Sequence, residues 1–211
     1  MGMFSGAYIA EILLRIPALL WALSFHEFCH GWAAYKLGDR TAAYQGRLSL
    51  NPMRHLDPVG TFMLIFFRFG WAKPVPINSR YFKNPRRDIA IVSLAGAAGN
   101  FASALAAGVI YRLLAAAAPW LLDNFAFRMF MLNMLFINIG LGVFNLIPIP
   151  PLDGSKVLSV MLPPSMLDTY FFLERYGMFI ILILVFTNVI QIFMRPIMAL
   201  LVDVCLLNFL F

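Results

Sequence analysis

The chain has 211 residues, of which 62% are hydrophobic and 12% are charged, and its mean hydropathy is +0.81. This composition excludes an ordinary soluble domain and predicts a polytopic membrane protein with short loops, in which roughly 20 apolar residues form each span. The formal net charge is +6, but ten of the sixteen Lys and Arg residues fall between Lys36 and Arg87, among apolar segments. That placement favours contact with the membrane surface over binding to nucleic acid.

The first predicted span covers residues 8–37, and the sequence HEFCH at 26–30 lies toward its carboxyl end. Residues four apart share one face of a helix, so His26 and His30 can bind the same zinc ion. Glu27 then stands beside the open position of the metal as a general base. Cys29 is interpreted as a small packing residue rather than a ligand. A structural hydrogen-bond cluster or a proton relay remains the alternative to a metal site.

Two shorter features are predicted between the first and second spans. Residues 41–50 are rich in small and polar side chains with an alternating pattern, which predicts a short strand or hairpin. The apolar run 59–69 would measure roughly 17 Å as a helix, against a hydrocarbon core of about 30 Å. We therefore predict a re-entrant, interfacial or internally packed segment, which leaves the flanking basic residues on one side of the membrane. The positive-inside rule makes that side cytoplasmic.

The remaining sequence completes an all-α polytopic membrane protein with about five transmembrane helices and the short hairpin or re-entrant segment between the first two. The later spans are predicted at residues 89–118, 127–146, 170–189 and 192–211. We interpret residues 1–211 as a single membrane-embedded domain, with a catalytic core at about 8–160 and C-terminal helices at about 168–211.

A catalytic zinc site usually has three protein ligands, so one is missing from the first span. Asp153 is the best candidate, because it follows a Pro-rich break whose unwound backbone must be buried in protein or face a cavity. Gly154 then permits a tight turn. The alternative is that Asp153 caps a helix that begins near Ser155. The other candidates on the same side are His55, Asp39, Asp57 and Asp88. We expect that His55 does not coordinate the zinc. Three other roles remain open for it: binding a second metal, gating entry to the site, or capping a turn.

Three motifs carry a family resemblance: HEFCH at 26–30, GAAGN at 96–100 and NLIPIPPLDG at 145–154. In order and spacing they resemble the site-2 protease family of intramembrane zinc metalloproteases. The sequences NPMRHLDP at 51–58 and GWAKPVP at 70–76 further resemble the small bacterial branch of that family, which lacks PDZ and CBS domains. The resemblance covers about residues 20–160.

The resemblance implies one Zn²⁺ per chain, held by His26, His30 and Asp153, with Glu27 as the catalytic base. It also implies that Asn100 and Asn145 orient the substrate strand or stabilise the oxyanion. Hydrogen bonding between helices is the alternative role for these two asparagines.

The implied function is an intramembrane zinc metalloendopeptidase that cuts membrane protein substrates in or near their transmembrane segments, as in regulated intramembrane proteolysis. We expect a multi-pass protein of the cell membrane, with the lipid bilayer as its surroundings, no nucleic-acid partner and the active site toward the cytoplasmic side. The oligomeric state is left open. The competing interpretations are an ion or metal transporter that uses the same His, Glu and Asp side chains, and an inactive membrane scaffold. A transporter often has repeated halves, and the sequence shows no such repeat.

Overall fold

The computed structural model describes residues 6–60, 62 and 70–206, and this part of the chain is almost entirely helical. Its α-helices are α1 (Gly6–Lys36), α2 (Thr41–Tyr44), α3 (Pro85–Ala117), α4 (Pro119–Asp123), α5 (Phe125–Asn145), α6 (Asp153–Met161), α7 (Leu167–Phe186) and α8 (Val189–Cys205). Short 3₁₀ turns occupy Pro52–Arg54, Ser79–Tyr81 and Pro164–Met166.

Local signals in the sequence set several helix ends. Gly38, at φ 110°, ends α1 in a backbone conformation that suits glycine. Pro85 occupies the first turn of α3, where its missing N–H has no intrahelical partner anyway. The side chain of Asn124 caps α5 by accepting a hydrogen bond from the N–H of Phe127. The long predicted helices are therefore confirmed, with their ends shifted by a few residues.

The described residues contain four helical segments that are long and apolar enough to cross a membrane: Ile12–Lys36, Pro85–Ala117, Phe125–Asn145 and Pro164–Phe186. The chain is accordingly a multi-pass membrane protein. The predicted count of five spans is not confirmed, because α8 has 17 residues and contains Pro196.

The predicted strand or hairpin at 41–50 is corrected by the structure. Thr41–Tyr44 forms a single helical turn, and no sheet exists in the described part of the chain, where the bridge between Leu56 and Ala72 is isolated. The carboxylate of Asp39 accepts a hydrogen bond from the N–H of Thr41 at 2.9 Å, which starts a turn instead of an extended strand. Most of the predicted re-entrant run 59–69 lies outside the described residues and stays a prediction.

Small residues bring α1, α3 and α5 close together. A Cβ added at Gly99 of α3 would lie 3.2 Å from the Cβ of Cys29 on α1, so these two helices approach tightly. On the other side of α3, Ala104 packs with Leu135 and Ile139 of α5 in a fully buried cluster. This packing fixes the position of the carboxyl half of α1, which carries the two histidines.

Candidate metal centre

Three predicted ligands meet in the structure, although they lie far apart in the sequence. The Nε2 atoms of His26 and His30 lie 3.1 Å and 2.9 Å from Oδ2 of Asp153, and 2.9 Å from each other. All three side chains are buried. Asp153 is the first residue of α6, directly after the turns that follow α5, and this position brings its side chain to the histidines. The three ligand atoms are within 4.8 Å of one another, close enough to hold a single metal ion.

The tautomer of His30 follows from its second nitrogen. Nδ1 lies 2.7 Å from the carbonyl oxygen of Val92 on α3. A carbonyl oxygen only accepts, so Nδ1 must carry the hydrogen. In the neutral ring, Nε2 then presents a lone pair toward Asp153, which is the form that binds a metal.

A chain of three buried side chains sets the tautomer of His26. Oδ1 of Asn100 lies 2.7 Å from Nδ1 of His26, and Nδ2 of Asn100 donates to the carbonyl oxygen of Ala22 and to Oδ1 of Asn138, both at 3.0 Å. The carbonyl of Ala22 fixes which end of the amide is the NH₂ group, so Oδ1 must face His26. Nδ1 of His26 therefore donates, and Nε2 presents its lone pair to the cluster.

The three ligand atoms fit a zinc ion. Two neutral imidazoles aim their lone pairs at one carboxylate oxygen, so three acceptors face one another in a buried site. A divalent cation satisfies such a group, and two nitrogens plus one oxygen is a known ligand set of catalytic zinc, which keeps a fourth position open. His26, His30 and Asp153 would be the residues that hold it.

Asp153 keeps its charge in this site. Burial alone would raise the pKa of its carboxyl, and the charge of Lys156 acts in the opposite direction and lowers that pKa. Nζ of Lys156 donates to Oδ1 at 3.0 Å, which leaves Oδ2 to the histidines. A carboxylate must be ionised to bind a metal, so this arrangement favours metal binding. Sequence reasoning missed Lys156, although its i+3 spacing from Asp153 on α6 was a usable signal.

Glycine at position 96 of α3 makes room for the two imidazoles. A Cβ added there would lie 2.6 Å from Cε1 and 2.7 Å from Nε2 of His26, closer than real Cβ contacts. The GAAGN motif therefore supplies both the space for the histidines and the asparagine that orients one of them.

Glu27 lies beside the histidines and faces a cavity of about 640 Å³, which the metal-binding side chains also line. Its Oε2 accepts a hydrogen bond from the backbone N–H of Val75 at 2.8 Å. The structure therefore brings the predicted base to the same cavity as the predicted ligands.

The two predicted asparagines occupy different places. Asn145 lines the cavity and donates from Nδ2 to the carbonyl of Leu141 at 3.0 Å. Asn100 is fully buried behind His26, and both of its N–H groups are already used. For Asn100, the geometry therefore favours hydrogen bonding between helices over donation to a substrate. Asn138 was missed, although it lies two helical turns before Asn145 on the same face of α5.

The other candidate ligands lie outside the cluster. His55 is buried and places Nε2 2.6 Å from the carbonyl oxygen of Ser49. Asp39 accepts from the N–H groups of Thr41 and Asn78 and thereby joins the end of α1 to a later loop. The remaining two carboxylates also bind nearby groups: Asp57 the N–H of Gly60, and Asp88 the side chain of Arg87 and the N–H of Asn84.

Comparisons with known proteins agree with this geometry. A model of peptidase family M50 matches residues 113–185. The chain is 38% identical over 174 residues to YwhC of Bacillus subtilis, which carries the name of a zinc metalloprotease, and the match covers 82% of this chain and 80% of YwhC. Two relatives named Rip2 are also described as zinc metalloproteases. Rip2 of Mycolicibacterium smegmatis is 29% identical, and the match covers 86% of this chain and 70% of Rip2. Rip2 of Mycobacterium tuberculosis is 32% identical, and the match covers 75% of this chain and 61% of Rip2.

No solved structure was found to match the chain. The identity to YwhC extends over most of both proteins, and the chain supplies the buried His, His and Asp groups that a catalytic zinc needs. The chain therefore belongs to peptidase family M50, the site-2 protease family, and is a zinc-dependent metalloendopeptidase.

Proposed function

We propose that the chain is an intramembrane protease that binds one zinc ion through His26, His30 and Asp153 and cuts peptide bonds in or near transmembrane segments of membrane proteins. The observation that carries the proposal is the convergence of these three buried groups, with both imidazoles held in the tautomer that binds metal. In this proposal, residues 1–211 form one catalytic domain with a core at about 8–160 and C-terminal helices at about 168–211.

Glu27 is the general base of the proposed reaction. When bound, zinc supplies Lewis acidity that acidifies a water molecule and polarises the scissile carbonyl. Glu27 accepts the proton of the attacking water and later gives it to the leaving amine. The N–H of Val75 engages one carboxylate oxygen of Glu27 and so fixes the orientation of the base toward the cavity.

The substrate must reach this cavity as an unwound chain, because a helical backbone shields its own carbonyl groups. Residues 71–76 form one wall of the cavity and are not helical, so an extended substrate can pair with them by strand addition. The N–H groups of Lys73 and Val75 are already bonded, to His55 and Glu27. Arg47 donates to the carbonyl groups of Lys73 and Pro74, so pairing along this wall relies on its remaining carbonyl groups as acceptors.

The proposed location of the active site is the cytoplasmic side of the cell membrane. Asp153 and the histidines lie near the carboxyl end of α1, on the side where the sequence concentrates Lys and Arg between residues 36 and 87. The positive-inside rule makes that side cytoplasmic. Cleavage there releases the cytoplasmic part of a substrate, which is the chemistry that regulated intramembrane proteolysis requires.

The test is a comparison of the wild type with Glu27→Gln, both purified in detergent. We expect about one zinc per chain in both proteins, because Glu27 is not a ligand, and cleavage of model transmembrane substrates by the wild type alone. Absence of zinc from both proteins overturns the proposed metal site. Cleavage by Glu27→Gln at the wild-type rate overturns the assignment of the base.

A further inference from the structure

Residues 71–78, called the strap below, form an extended wall of the cavity beside Glu27. Three of its backbone N–H groups are bonded to other parts of the chain. Lys73 donates to the carbonyl of His55 at 2.8 Å, Val75 to Glu27 at 2.8 Å and Asn78 to the carboxylate of Asp39 at 2.6 Å. The strap is therefore tied to the loop before it and to the carboxyl half of α1.

Arg47 binds the other side of the strap. Its Nη2 donates to the carbonyl of Lys73 at 2.7 Å and to that of Pro74 at 3.2 Å. Arg47 is only 9% exposed, and among the described residues no carboxylate pairs with it. Burying a guanidinium is costly unless its charge is compensated. Because no carboxylate of the described residues pairs with Arg47, an ion pair does not explain its burial. Its Nη2 donates to the backbone of the strap, and its Nε has no hydrogen-bond partner among the described residues.

The peptide bond between Pro74 and Val75 connects Arg47 to Glu27. The carbonyl of Pro74 and the N–H of Val75 belong to one planar trans unit, in which the two groups point in opposite directions. Arg47 holds the oxygen at one end of this plane, and Oε2 of Glu27 takes the hydrogen at the other end. Rotation of the plane is therefore resisted from both sides.

The side chain of Val75 adds a second anchor next to the metal centre. It is buried, and a Cβ added at Gly31 would lie 3.2 Å from its Cγ1. Gly31 follows His30 directly, so the strap packs on α1 one residue beyond a proposed ligand. This packing sets the height of the strap over the helix, and Arg47 sets the rotation of the peptide plane.

We propose that Arg47 is a positioning residue for the general base: through the peptide between Pro74 and Val75, it aims the N–H that orients the carboxylate of Glu27. The inference rests on the proposed function, because it requires Glu27 to be the base. It assigns to Arg47 an effect on the rate of the chemical step and none on zinc binding.

The test uses Arg47→Met in the full-length chain, with Arg80→Met as the matched control. Arg80 is an exposed arginine on the 3₁₀ turn that follows the strap, outside the contacts described above. We expect Arg47→Met to lower kcat by about 10- to 100-fold, the usual effect of removing a group that supports a catalytic residue. In Arg47→Met, KM, zinc per chain and melting temperature should stay near the wild-type values. Arg80→Met should resemble the wild type in these three quantities and in kcat.

A second variant and a rescue experiment separate positioning from a structural role. Val75→Pro keeps Arg47 but removes the N–H that Glu27 accepts, so it should lower kcat by a similar factor. Added guanidinium ion should restore part of the kcat of Arg47→Ala and should leave Arg80→Ala unchanged. Unchanged kcat in Arg47→Met overturns the inference whatever Val75→Pro does, as does a loss of kcat that only parallels a loss of zinc or of folded protein. A wild type that holds zinc but cleaves nothing overturns the proposed function itself.

Discussion

Asn100 holds His26 from behind, with its side-chain oxygen 2.7 Å from Nδ1 of the imidazole. The amide cannot turn over without losing its bonds to the carbonyl of Ala22 and to Asn138. The nitrogen that His26 offers to a metal is therefore determined by contacts among α1, α3 and α5.

Replacement of Asn138 should weaken zinc binding although Asn138 does not touch the proposed ligands. In Asn138→Leu, the amide of Asn100 loses one acceptor and His26 is oriented less firmly, so we expect zinc affinity to fall about 10-fold or more. Competition with a chelator of known affinity measures the change. Asn133→Leu is the matched control, because Asn133 is also a buried asparagine of α5 and its Nδ2 has no partner among the described residues. Equal zinc affinity in the two variants would contradict the role of Asn138.

Gly96→Ala should prevent formation of the metal centre. The added methyl group would lie 2.6 Å from Cε1 of His26, and a clash of this kind in a packed interior costs about 1–3 kcal/mol. We expect loss of zinc and of cleavage, measured as metal content and substrate turnover. Gly140→Ala on α5 is the control, because its added Cβ would approach only Cε of Met198 at 3.4 Å. Full zinc content in Gly96→Ala would show that the imidazoles can move aside.

The sequence predicts the parts of this site that depend on local geometry. The i, i+4 spacing of His26 and His30 within a long apolar run specifies both the helix and the shared face, and the structure agrees. Asp153 was predicted from the Pro-rich break before it, which is also a local signal. The HEFCH motif itself indicated zinc, and the family resemblance added the complete ligand set and the roles of Asn100 and Asn145.

Contacts between distant segments were not predictable in the same way. Arg47 was one of several basic residues near the membrane, and nothing in its neighbourhood indicated that it binds carbonyl groups of residues 73 and 74. The pattern at 41–50 suggested a strand, but a strand needs a partner, and the bond from Thr41 to Asp39 favours a turn instead. For Asn100, the sequence left a role at the substrate and hydrogen bonding between helices both open, because its burial depends on three helices that meet only in the fold.

Removal of Lys156 should make zinc binding more sensitive to acid. Lys156 lowers the pKa of the Asp153 carboxyl by its charge, so Lys156→Met should raise that pKa. Protons then compete with zinc for the carboxylate at a higher pH, and the curve of zinc content against pH should shift upward on the pH axis. Lys83→Met, at an exposed lysine before α3, should leave the curve in place. A shift to lower pH in Lys156→Met would have the wrong sign for this account.

Asn145 should affect the substrate and leave the metal unchanged, in contrast to Asn138 on the same helix. It lines the cavity and gives Nδ2 to the carbonyl of Leu141, so the rest of its amide is available to a substrate backbone. One net hydrogen bond is worth about 1 kcal/mol, so we expect Asn145→Leu to raise KM by about 5- to 10-fold with zinc affinity unchanged. Steady-state kinetics and the chelator competition distinguish the two asparagines. Loss of zinc in Asn145→Leu would place its role at the metal centre, and a loss confined to kcat would instead indicate an oxyanion donor.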